Sequence, residues 1–139
     1  MDDINTLRRI LRENHVVAVV GLSADWFRPS YFVAKYLQEH GYRIIPVNPR
    51  YAGKNILGER CFAGLREISE RVDVVDVFRK TADVPPVAED AIAIGAKVVW
   101  MQEGIRNDDA ARDGEAHGLR VVMDTCIRSA HRRMMREKQ

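Results

Sequence analysis

The stretch Val16-Val17-Ala18-Val19-Val20-Gly21-Leu22-Ser23-Ala24-Asp25-Trp26-Phe27-Arg28-Pro29-Ser30 decides how this chain is read. Five apolar, mostly β-branched residues lead into a glycine, a short loop and a Pro-Ser pair suited to opening a helix. A strand with no polar alternation is covered on both faces, as in parallel sheets. A glycine where such a strand meets its helix lets the backbone approach an anion, and the helix N-terminus supplies free N–H groups and partial positive charge. Taken singly, Gly21 is a tight turn, Ser30 a helix cap and Arg28 a solvated charge. Taken together at this position, Gly21, Ser23, Arg28 and Ser30 read as an anion-binding loop.

Working outward, four further apolar runs follow: Arg43-Ile44-Ile45-Pro46-Val47, Val72-Asp73-Val74-Val75-Asp76-Val77, Lys97-Val98-Val99-Trp100-Met101 and Leu119-Arg120-Val121-Val122-Met123. The spacing predicts one strand and one helix per step. Val33, Tyr36 and Leu37 mark one helical stripe, and Val87, Ala91 and Ile94 another after Pro85-Pro86. Leu65 and Ile68 stand in the second intervening segment, and residues 107–117 form the fourth. Gly41, Gly95 and Gly118 fall between helix and strand, where helices end. Ile4, Leu7 and Leu11 suggest a leading helix over about 3–13, and Ile127, Ala130 and Met134 a closing one. The expectation is an α/β single domain over 1–139. A Rossmann-like core occupies about 15–139: a doubly wound five-stranded parallel sheet in a three-layer α/β/α arrangement. Ligands of such sheets sit beyond the strands' carboxyl ends, where the strand order reverses.

Composition limits the function classes. The 139 residues carry 22 Lys and Arg against 20 Asp and Glu, a net charge of +2, which excludes a strongly electrostatic nucleic-acid binder. Two cysteines, Cys61 and Cys126, are too few for a disulfide scaffold, and no zinc-type ligand spacing occurs. Met1-Asp2-Asp3-Ile4 lacks a signal core and no run is long enough to span a bilayer, so the expected setting is cytoplasmic, with reduced thiols and no membrane contact.

The loop is not the dinucleotide fingerprint, since Ser23 and Trp26 stand where the second and third glycines belong. After the second strand, Asn48-Pro49-Arg50 offers no carboxylate for a ribose 2′-hydroxyl, whereas Arg50 suits a phosphate. The inferred ligand is a nucleotide richer in phosphate than NAD, with NADP still open.

These motifs resemble the small stand-alone CoA-binding domain proteins, whose fold is similar to the N-terminal domain of the succinyl-CoA synthetase alpha subunit. The resemblance rests on Gly21 to Ser23, Arg28 to Tyr31 and Ile45 to Pro49. It continues through Asp76 to Arg79, Trp100 to Arg106 and Val122 to Ile127, nearly the whole chain. It departs from the common pattern at Thr125 and Ala130. The resemblance implies coenzyme A or an acyl-CoA as ligand. Gly21, Ser23, Arg28 and Ser30 would form the phosphate loop, and Asn48, Pro49 and Arg50 would lie at the adenosine end. Phe78 and Arg79 would flank the nucleotide, and Gln102, Gly104 and Ile105 would border the pantetheine path. The implied role is a carrier, sensor or regulatory module without ligase activity of its own, with a second copy or a larger enzyme as candidate partner.

Two other classes stay open: an NADP-dependent oxidoreductase and a thiol-redox protein using Cys126, which follows the fifth strand on the same rim. Cys61 reads as structural. Asp73 and Asp76 point to opposite faces and make no acid–base pair. Asp76 is expected to be a structural hydrogen-bond acceptor, Glu103 a rim carboxylate, and His15, His40, His117 and His131 separate capping or solvated groups.

Overall fold

The computed structural model describes residues 3–137. Met1, Asp2, Lys138 and Gln139, counted above in the terminal segments, lie outside the described residues. Five parallel strands form the main sheet: β1 (Val16–Val20), β2 (Arg43–Val47), β5 (Val74–Val77), β6 (Val98–Met101) and β7 (Arg120–Val122). A small hairpin, β3 (Asn55–Ile56) with β4 (Glu59–Arg60), forms a second sheet beside β2, where Arg43 pairs with Glu59. The main order is β2-β1-β5-β6-β7. The order reverses between β1 and β5, as in a doubly wound sheet. Register places Val20 opposite both Val47 and Val77, so the three strands end at one level.

Strand alternation sorts the core into two layers. Val17, Val19, Ile44, Val74 and Trp100 face α1 (Ile4–Glu13), α2 (Pro29–Glu39) and α5 (Ile127–Glu137). Ala18, Val20, Ile45, Val75, Val77 and Met101 face α3 (Val84–Ala93) and α4 (Asp108–Ala116). Both faces are buried, which is why the strands read as apolar throughout. Pro46 is tolerated because β2 is an edge strand. That edge is partly covered where Phe62 donates its N–H to the Pro46 carbonyl.

The second crossover corrects the expectation of a helix after β2. It consists of a 3-10 turn at Pro49–Tyr51, the β3–β4 hairpin and a second 3-10 turn at Leu65–Glu67. Leu65 and Ile68 are buried as their spacing suggested, but they are too few to hold a helical face against the sheet. The hairpin turn at Leu57-Gly58, with both residues at positive φ, also interrupts the chain. The three expected helix-ending glycines, Gly41, Gly95 and Gly118, all adopt positive φ. Among the described residues, no helix is long and apolar enough to cross a membrane.

Candidate functional site

Gly21 closes β1 at the switch point. Its φ is +90°, its N–H donates to the Val47 carbonyl at 2.8 Å, and a side chain there would overlap the Phe78 carbonyl oxygen. Glycine is required on both counts, conformation and space. The next loop braces itself through its serines. The Ser30 hydroxyl accepts the Ser23 N–H and the Ser23 hydroxyl accepts the Asp25 N–H, each at 3.0 Å. Ser30 lies inside the first turn of α2, and Arg28 occupies the cap position without a capping side-chain bond. Asn48 ties the second loop to the first: its Nδ2 donates to the Leu22 carbonyl at 3.1 Å, while its Oδ1 accepts the Arg50 N–H at 3.0 Å.

A cleft of about 300 Å³ opens between these loops. Of the twelve residues singled out in the sequence, Gly21, Ser23, Arg28, Ser30, Asn48, Arg50 and Phe78 line it. Arg28 and Arg50 make no ion pair among the described residues; their guanidiniums lie over Phe27 and Tyr51, at 5.7 and 5.5 Å from the ring centroids. Through Pro29 and Phe78 the cleft continues into a more apolar chamber of about 570 Å³, which Arg79, Gln102 and Ile105 line. Pro49 and Gly104 line neither space. Pro49 begins a 3-10 turn, and the Gly104 N–H donates to Asp124 Oδ1 at 2.7 Å, holding the β6 loop against the β7 loop.

Sequence reasoning missed Asp25 and Tyr51 in the first space, and Phe32, Val33 and Lys80 in the second. Their adjacency to the chosen motifs was the available signal. Trp26 and Phe27 are largely exposed on the loop rim.

The remaining candidates sort themselves by burial. Cys61 is buried, its thiol 3.5 Å from the Asn48 carbonyl, and burial pushes its pKa up. Cys126 is a half-buried free thiol on the wall of the second chamber. Asp73 caps the start of β1, its Oδ2 accepting the His15 and Val16 N–H groups at 3.2 and 3.1 Å. Asp76 departs from the structural acceptor expected of it. It is fully buried, and neither carboxylate oxygen meets a donor among the described residues. Burial therefore holds its pKa well above the usual carboxylate value. Three histidines are not separate: His15, His40 and His131 gather around Tyr36 and Tyr42. The Tyr36 hydroxyl lies 2.8 Å from His131 Nδ1. The Tyr42 hydroxyl donates to the Leu11 carbonyl at 2.7 Å, and burial pushes its pKa up to about 12.

Comparison with known proteins agrees with this arrangement. The chain is 40% identical over 125 residues to the uncharacterized protein YneT of Bacillus subtilis (strain 168), covering 90% of this chain and 91% of that protein. It superposes on a Thermus thermophilus protein, cell-free ID.343, with a TM-score of 0.91 at 35% identity, covering 96% and 99% of the two chains. A hypothetical protein from Pyrococcus horikoshii OT3 gives a TM-score of 0.92 at 36% identity, covering 96% and 93%. An ADP-forming acetate–CoA ligase of Methanocaldococcus jannaschii is 27% identical over 81 residues, 58% of this chain but 11% of that enzyme. The family model described as CoA binding domain matches residues 15–132, from the first strand to the closing helix, and with the sheet order and cleft already in place the chain belongs to that CoA-binding domain family.

Proposed function

We propose that the protein binds coenzyme A or an acyl-CoA noncovalently, as a carrier, sensor or regulatory module for that nucleotide in the cytoplasm. The observation that carries this reading is the two-part cleft at the β1/β5 switch point. Its polar half presents Arg28 and Arg50, neither in an ion pair among the described residues, and its apolar half runs on past Phe78 toward Gln102 and Ile105. A ligand with phosphates at one end and a long neutral arm at the other matches that division. Family membership supports the same ligand.

In this reading the Gly21–Ser30 loop and the N-terminus of α2 hold the pyrophosphate. Arg50 meets the 3′-phosphate and Phe78 packs beside the nucleotide. Arg79 stands where the arm leaves the polar half, and Gln102 and Ile105 border the arm. Pro49 and Gly104 act indirectly, by shaping the loops that carry Arg50 and Gln102. Partners beyond the nucleotide, whether a second copy or a larger enzyme, would read the loaded state.

Titration calorimetry with coenzyme A and NADP tests the proposal. Saturable heat with coenzyme A and none with NADP is expected. Arg28→Ala should weaken coenzyme A binding by about 1.5–3 kcal/mol, the worth of a charge-assisted phosphate contact. No heat with coenzyme A, or heat with NADP alone, overturns the reading.

A further inference from the structure

The second chamber does not end at Gln102 and Ile105. Glu103 and Cys126 line it and also line an adjoining chamber of about 270 Å³, whose walls include Leu7, Ser129 and Ala130. Two hydrogen bonds pin this corner. The Thr125 N–H donates to the Met101 carbonyl at 3.2 Å, and the Ile127 N–H donates to Gln102 Oε1 at 3.2 Å. Cys126 stands between these anchors, on the wall of the same chamber as Gln102.

Gln102 is itself 4% exposed. With its oxygen committed to Ile127, its Nε2 meets no acceptor among the described residues, although the side chain lines the chamber. That nitrogen is not fully enclosed by protein and stays open to the chamber. It suits a ligand carbonyl, and the carbonyl that lies beside the sulfur of an acyl-CoA is its thioester. The corner thus holds a fixed carbonyl donor, an unoxidised thiol and a small chamber behind them.

Resting on the coenzyme A reading, we propose that Cys126 accepts the acyl group of a short-chain acyl-CoA. The thioester oxygen sits on Gln102 Nε2, and the acyl chain enters the chamber beyond Cys126. A bond forms between Cys126 Sγ and the carbonyl carbon, and the bond from that carbon to the coenzyme A sulfur breaks. The thiol proton ends on the departing sulfur, with Glu103, which borders both chambers, placed to carry it. One thioester replaces another, so no oxidant or reductant is consumed. Gln102 stabilises the oxyanion formed on the way.

Intact-mass measurement of the protein incubated with acetyl-CoA or butyryl-CoA tests this, alongside calorimetry with coenzyme A. The expected result is one acyl adduct on Cys126, removed by hydroxylamine, with one equivalent of coenzyme A released. It should form far faster than on free cysteine in the same solution. Cys126→Ser should carry no adduct. Gln102→Glu keeps an oxygen for the Ile127 N–H but loses the amide donors, and should slow acylation about a hundredfold. Coenzyme A binding without any adduct, or an adduct formed no faster than on free cysteine, overturns the inference and leaves the binding reading standing. Absence of both binding and adduct overturns both.

Discussion

At the scale of single residues, Asp76 is the feature with the clearest physical consequence. It sits in β5 between Val19 of β1 and Trp100 of β6, fully buried, with no donor among the described residues. Its proton is therefore retained in the folded state at pH values where the unfolded chain has released it. The folded pKa is raised, so the stabilising contribution is full below the ordinary carboxylate value near 3.8 and is lost as pH rises toward the folded pKa. Within that window the loss is about 1.4 kcal/mol per pH unit. Asp76→Asn should remove this slope and leave the variant more stable than the parent at pH 8, with a difference that shrinks toward pH 4. Urea unfolding across that range measures it; parallel stability profiles for the two proteins would refute the assignment. The same carboxylate was expected to accept a structural hydrogen bond, a role Asp73 fills instead at the start of β1. Sequence position alone could not separate the two, because the difference lies in which backbone N–H groups the neighbouring strand brings near.

At the scale of elements, the site is a property of where strands stop. Gly21 packs against the Phe78 carbonyl because β1 and β5 end side by side. Gly21→Ala must therefore move both loops as well as adopt an unfavourable φ. We expect a loss of about 3 kcal/mol in stability, combining overpacking and backbone strain. Chemical denaturation reads it directly, and an unchanged midpoint would show that the loops yield freely. Asn48 works at the same scale, since one side chain holds the β1 loop and the first residue pairs of the β2 loop together. The strand and helix pattern was legible at this level: all five apolar runs became strands, although β5, β6 and β7 are shorter than the runs that announced them. The one element read wrongly, the crossover after β2, spreads its buried apolar residues, Ile56, Cys61, Leu65 and Ile68, from the hairpin to the second 3-10 turn. Its conformation is set by contacts with the edge of β2 and by the hairpin turn, which local periodicity does not encode.

For the molecule as a whole, the proposed ligand binding would be linked to folding. A nucleotide that binds only the folded state stabilises it by about 2.7 kcal/mol at a hundredfold excess over its dissociation constant. For a chain of this size that corresponds to a rise of roughly 9 °C in melting temperature. Thermal unfolding with coenzyme A should show that rise, and a melting temperature independent of coenzyme A would contradict a site built into the switch point. By itself, the chain order of apolar runs, glycines and helical stripes determined the α/β architecture, the strand-end position of the candidate cleft and most of the residues lining its polar half. These follow from local backbone preference and from the burial of both sheet faces, which leave their mark directly in the order of residue types. Only the tertiary structure decided that Gln102 and Cys126 line one chamber, that three histidines meet two tyrosines, and that Asp76 is left without a donor among the described residues. Each of those facts depends on side chains from distant segments arriving at one point, and such meetings are set by packing across the sheet rather than by anything written within one segment.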